Sequence, residues 1–231
     1  MIDYRIISIG ALSAHPLWGE KEPVRTGHST TTLVRSRDRV IIVDPGLPSQ
    51  ALAARLQERA KLPAAAVTDV FLTSFRPDAR RALDLFDDAT WWIHNDERER
   101  VGVMLASTLR RIAQDAPGDE DDPIRAAIER EIVILHRCKP APDHLADHVD
   151  IFPLPGVSPG TCGLLLEEPR ATTLICGDAI PTIEHLQQGQ VLPNCADYDK
   201  AKESFQEAVE IADFLILGRD NIVANPTRRA F

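Results

Sequence analysis

Apolar residues fall in short runs in the first and last thirds of this chain and recur at three- and four-residue spacing in its middle. The early pattern predicts a strand over 4–9, then an irregular stretch as far as Gly27. Residues 31–35 and 40–43 are rich in β-branched side chains, and polar Ser36-Arg37-Asp38-Arg39 separates them, which predicts a hairpin. Asp44-Pro45-Gly46 breaks the second strand. Ser49 is placed to cap a helix running through Ala60, with Leu52 and Leu56 on one face and Ala53 and Ala60 beside them. Val70-Phe71-Leu72 predicts a further strand. It ends in a polar loop, Thr73-Ser74-Phe75-Arg76-Pro77-Asp78-Ala79, ahead of a helix-like segment over 80–86. Strand-to-helix loops of this kind are where α/β proteins place their chemistry. Trp91-Trp92-Ile93 reads as a strand ended by His94.

The period changes after Asp96. Val101, Met104, Leu105, Leu109 and Ile112 line one face of a helix over 97–114, and an acidic loop follows over 115–122. Pro123 fits the first turn of a second helix, lined by Ile124, Ala127, Ile128, Ile132 and Leu135. The pair, over about 96–138, reads as a helical insertion lying over the cleft of a strand-rich scaffold. Strands return over 149–152, 161–166 and 172–176, then a helix over 198–212 and a last strand over 214–217. There is no internal repeat and no low-complexity segment.

A length of 231 residues fits one domain, 1–231, able to bury its own core. No apolar run is long enough to span a bilayer, and no basic-then-apolar leader opens the chain, so a cytoplasmic protein without a membrane partner is expected. A net charge of -9 argues against a nucleic-acid partner. Arg228-Arg229 is the one basic exception and reads as a solvated terminus. The four cysteines show no C-x-x-C spacing. Cys162 and Cys176 lie in strand-like runs, where a free cysteine behaves as a small core residue.

Five segments, in order, carry a resemblance over about 30–221. Val40-Ile41-Ile42-Val43-Asp44-Pro45-Gly46 looks like a strand ending in D-x-G. The loop 73–79 resembles T-H-x-H-x-D-H. Leu154-Pro155-Gly156-Val157-Ser158-Pro159-Gly160 is similar to T-P-G-H-T-P-G. Cys176-Gly177-Asp178-Ala179 resembles a G-D segment, and Leu217-Gly218-Arg219-Asp220 lies where a strand normally ends in G-H. Together they resemble the metallo-β-lactamase superfamily. That resemblance implies an α/β (α+β) fold, a four-layered αββα sandwich, with zinc held by the histidines and aspartates of those loops.

Carried over position by position, the resemblance leaves Asp78 and Asp178 in place. Ser74, Arg76, Ala79, Val157 and Arg219 occupy the five histidine positions. Zinc needs nitrogen, sulfur or carboxylate lone pairs. Valine and alanine have none, and a guanidinium offers only donors. Arg76 and Arg219 add two positive charges that match Asp78 and Asp178, which suggests that guanidinium groups replace the metal. The alternatives are arginines turned to solvent and, for Asp78, a helix N-cap.

His28 precedes a strand that edges the family's cleft and is a candidate pocket group or substitute ligand. His136, Cys138, His144 and His148 form a local cluster better read as solvent-exposed than as metal-binding. Cys195 lies where relatives rim the pocket, with no base to activate it. The reading that results is a pseudo-hydrolase that keeps a pocket for a small anionic ligand, with no cofactor. An active zinc hydrolase is not expected, and any activity would be hydrolytic. One rival is a divergent hydrolase with zinc or another divalent metal on Asp78, Asp178 and His28 or His185, working through metal-activated water. The other is a structural or interaction module that uses the helical insertion or Trp91-Trp92. Homo-oligomerisation stays open.

Overall fold

The computed structural model describes residues 2–115 and 122–227. β1 (Ile2–Ser8), β2 (Thr31–Ser36) and β3 (Arg39–Val43) pair antiparallel in sequence order. Helix α1 (Ser49–Ala60) returns the chain so that β4 (Asp69–Leu72) lies parallel to β3, and β5 (Thr90–Ile93) lies parallel to β4. Helices α2 (Asn95–Asp115) and α3 (Pro123–Arg137) follow, and β6 (Lys139–Pro140) completes a six-stranded sheet among the described residues. The second sheet opens with β7 (His144–Ala146), β8 (Val149–Pro153), β9 (Cys162–Glu168) and β10 (Ala171–Gly177), all antiparallel neighbours. After α4 (Ile183–Gln188) and α5 (Tyr198–Ile211), β11 (Phe214–Leu217) lies parallel to β10, and β12 (Ile222–Ala224) closes that edge.

Alternation along the strands sorts the apolar side chains into three layers. Ile41, Val43 and Phe71 from the first sheet meet Leu164, Leu166, Ile175 and Ile216 from the second, so the inner faces pack together. Ile42, Val70 and Leu72 point the other way, onto Leu52 and Leu56 of α1 and onto Val101 and Leu135 of α2 and α3. Leu174, Cys176, Leu215 and Leu217 face Ala201, Phe205 and Ala208 of α5. The result is the four-layered αββα sandwich. Each fully buried Leu or Ile contributes roughly 1.5–3 kcal/mol by leaving water.

Several local expectations need correction. Ser49 is not a cap: α1 starts at Ser49 with Pro48 ahead of it and no side-chain cap, and Ser49 Oγ instead donates to Asp84 Oδ1 at 2.5 Å. The segment 80–86 forms no α-helix; short 3-10 turns cover Pro77–Ala79 and Leu83–Phe86. Asp78 sits inside the first of these turns and caps nothing. Val101 and Leu135 of the helix pair pack into the outer layer of the first sheet. The acidic loop, apart from its ends, and Arg228-Arg229 lie outside the described residues. No helix among those residues is long and apolar enough to cross a membrane.

Candidate functional site

The loops that leave β3, β4, β10 and β11 meet at one end of the sandwich, and buried polar contacts hold them there. Asp44 leaves β3 with φ 49° and accepts from Thr73 N at 2.8 Å and Thr73 Oγ1 at 2.6 Å. These bonds tie the exit of β4 to the exit of β3. Burial pushes the Asp44 carboxyl up to about 7, against the opposing pull of its Thr73 hydrogen bonds. Glu97, 1% exposed near the start of α2, ties two further loops. It accepts from Phe75 N at 2.9 Å, Ser158 Oγ at 2.8 Å and Gly160 N at 2.8 Å. A Cβ on Gly160 would stand 2.1 Å from Glu97 N, so only glycine permits this approach. On the other side of the loop, buried Arg80 donates to Glu131 of α3 and to Phe75 O.

Arg219 lies at the centre. Its Nε and Nη2 donate to Asp178 Oδ1 and Oδ2 at 2.6 and 2.7 Å, and its Nη1 donates to Asp78 Oδ2 at 2.5 Å. Its side chain is 1% exposed and that of Asp178 is 4% exposed. Arg76 Nε lies 3.6 Å from Asp78 Oδ1 and 3.5 Å from Asp178 Oδ2, and its side chain is 41% exposed. The pairing that the charges predict therefore forms, tightly at Arg219 and loosely at Arg76. Burial alone would push the Asp178 carboxyl up, but the Arg219 guanidinium outweighs it and holds the group below its ordinary value. Burial opposes the charge on Arg219 too, yet Asp178 and Asp78 hold its pKa above the usual one.

The other positions carried over from the resemblance offer no ligand atoms of consequence. Ser74, Ala79 and Val157 are buried, and Val157 packs in the apolar cluster of Leu154 and Leu192. His28 does not join the charged cluster; its ring nitrogens lie 3.1 Å from Ile9 O and 3.4 Å from Thr26 O. His185 is fully buried with Nδ1 2.9 Å from Thr182 Oγ1, and burial pushes it down to about 4. Among the described residues, no group of three or more His, Cys, Asp or Glu side chains could hold a metal ion. A zinc centre of the kind that the resemblance implies needs free lone pairs. Here both Asp178 oxygens and one Asp78 oxygen accept from Arg219. The donor set does not fit zinc.

The remaining candidates scatter. Cys195 donates to Leu192 O at 2.8 Å, and burial raises its thiol, the reverse of an activated nucleophile. His144 begins β7 and His148 lies in the turn after it, paired with Asp150 and Asp147 respectively, and His136 is exposed. Trp91 is buried and Trp92 half-buried. Trp91 is 5% exposed and donates to Phe86 O, while Trp92 donates to Asp69 Oδ1.

Two small cavities adjoin the cluster. One, of about 270 Å³, is lined by Leu12, Pro16, Lys21, Arg76, Leu192 and Asn194 among others. The other, of about 180 Å³, lies beyond Arg219 by His15, Trp18, Thr182 and Glu184. A larger hollow of about 690 Å³ by Ile2, His148 and Glu167 sits at the opposite end of the sandwich and gathers none of these charges. Glu97, Lys21 and Asn194 escape the sequence reading. Glu97 stands in the run Asp96-Glu97-Arg98-Glu99, where nothing marks it as the one buried carboxylate.

The sequence profile described as Metallo-beta-lactamase superfamily matches residues 24–214, ending short of Arg219. Comparison with curated proteins returns no match. Among solved structures, a Thermotoga maritima protein (tm0894) provisionally described as a metallo-beta-lactamase aligns with TM-score 0.64 and 19% identity, covering 96% of this chain and 99% of its own. AidC, described as a dizinc quorum-quenching lactonase, aligns with TM-score 0.64 and 18% identity over 88% of this chain and 80% of its own. AbOPH, a hydrolase in the beta lactamase superfamily, aligns with TM-score 0.60 and 13% identity over 100% of this chain and 92% of its own. At such identities the structural likeness speaks for the fold alone. The profile match, which spans most of the chain, places it by sequence: this protein belongs to the metallo-beta-lactamase superfamily.

Proposed function

We propose that this chain is a non-hydrolytic member of its superfamily, in which a guanidinium occupies the metal position and the adjoining cavity binds a small anion. One observation carries the reading: Arg219 bridges Asp178 and Asp78 through three hydrogen bonds while 1% exposed. A buried carboxylate and a partly buried one, with no cation between them, would repel, and one would take up a proton. The bidentate fork of arginine removes that conflict. Its fixed positive charge also repels a dication from the place between the two aspartates. Hydrolysis on a metal depends on a bound water whose pKa is lowered towards about 7, and nothing in the cluster replaces that effect. Arg76, loosely held and half exposed, supports the anion-binding part.

Metal content tests the reading. Protein incubated with excess zinc and then dialysed is expected to retain well below one zinc per chain by elemental analysis. Its melting temperature should not rise with zinc, since a ligand that ignores the native state cannot stabilise it. Near-stoichiometric zinc that is lost in Asp178→Ala would overturn the reading in favour of a single-metal hydrolase.

A further inference from the structure

The cavity beside Arg76 has more character than a generic anion site. Arg76 contributes its guanidinium edge. Its Nε faces the two aspartates at 3.5 and 3.6 Å, and among the described residues no hydrogen bond is recorded from either of its Nη atoms. Lys21 lines the same space, as do Leu12, Pro16 and Leu192. Glu20 also lines it, but its carboxylate is already used by Arg25 and by His15 N at 2.6 Å.

The charges around the cavity can be paired off. Arg219 and Arg76 balance Asp178 and Asp78, and Arg25 balances Glu20. Lys21 is left over, so the lining carries one uncompensated positive charge. A single negative charge neutralises it. A phosphate dianion would leave an excess negative charge close to Asp78 and Asp178. The space is also small: about 270 Å³ lies just under the usual range for drug-sized ligand sites. One wall is apolar.

We propose that the ligand is a small monocarboxylate with a short aliphatic body. Its carboxylate meets the Arg76 fork and Lys21, and its chain lies on Leu12, Pro16 and Leu192. A guanidinium matches a planar carboxylate through two parallel hydrogen bonds, while Lys21 adds a point charge. The inference rests on the anion-binding reading above and narrows it to one class.

Calorimetric titration of the full chain with pentanoate, its neutral counterpart pentanamide, and n-butyl phosphate tests it. Pentanoate is expected to bind and pentanamide to bind at least about tenfold more weakly, because a charge-assisted hydrogen bond is lost. Arg76→Gln and Lys21→Gln should each weaken pentanoate by about tenfold or more. Arg76 is half exposed and only loosely paired, and Lys21 is exposed, so both variants should keep the wild-type melting temperature within a few degrees, a control run alongside. Tighter binding of n-butyl phosphate than of pentanoate, sensitive to Arg76→Gln, would overturn the carboxylate class and leave the anion-binding reading standing. Pentanoate affinity unchanged in Arg76→Gln would overturn the site. No heat from either anion would overturn the inference and the anion-binding reading together.

Discussion

Arg219, itself 1% exposed, holds buried Asp178 and partly buried Asp78 with one guanidinium. Breaking a buried pair strands the remaining charge, at a cost of about 3–5 kcal/mol. Arg219→Ala should therefore lower the unfolding free energy at neutral pH by about that much, read by urea denaturation. Adding Asp178→Asn should recover part of the loss, and a single variant that unfolds like wild type would count against the bridge. Asp44 and His185 pull stability in opposite directions with pH. The Asp44 carboxyl titrates near 7 when folded against 3.8 when free. Its contribution is thus complete below about 3.8 and is lost as pH rises to about 7. His185 titrates near 4 when folded against 6.5 when free. Its contribution is present above about 6.5 and is lost as pH falls towards 4. Asp44→Asn keeps a side chain that tolerates positive φ and can bond Thr73. It should stabilise the protein at pH 8 by on the order of 3 kcal/mol, with the gain gone near pH 4. A gain of equal size at both pH values would refute the shifted carboxyl. At this scale the pairing of Arg219 with Asp178 was legible from charge alone. The titrations of Asp44 and His185 were not, because both follow from burial that no local pattern announces.

The elements around the site depend on side chains that reach across from other elements. Glu97 accepts two backbone N–H groups and a hydroxyl from two loops about 85 residues apart in sequence. Without it, the buried N–H groups of Phe75 and Gly160 would lack partners, each at a cost of about 1–3 kcal/mol. Glu97→Ala should then destabilise by about 2–5 kcal/mol, while exposed Glu99→Ala should change stability by no more than about 0.5. Equal melting of the two variants would show that Glu97 holds nothing in place. The strands and the long helices were legible because their periods, two and 3.6, are written in apolar residues. Ser49 misled because the chain enters α1 through Pro48, leaving the hydroxyl free to bond Asp84. The loop 73–79 kept its polar signature, but its 3-10 turn and its grip on Glu97 depend on partners far away in the chain.

Across the whole molecule, three apolar layers fix the sandwich whether or not a metal is present. The inner layer joins Phe71 and Val43 to Leu164 and Ile216 across the sheets, and none of these residues lies at a position matched to a ligand. This is why the fold could be read from motif order and strand alternation although five of the seven matched positions hold no histidine. The guanidinium bridge is a property of the assembled loops, since Asp78, Asp178 and Arg219 come from three separate turns. Membership in the superfamily gives the scaffold; the chemistry follows from what fills the space between the two aspartates. Crystals grown with excess zinc and measured at the zinc absorption edge test that directly. The account predicts the Arg219 guanidinium bonded to Asp178 and Asp78, with no anomalous peak between the two carboxylates. An anomalous peak there, with Arg219 swung away from both aspartates, would contradict it.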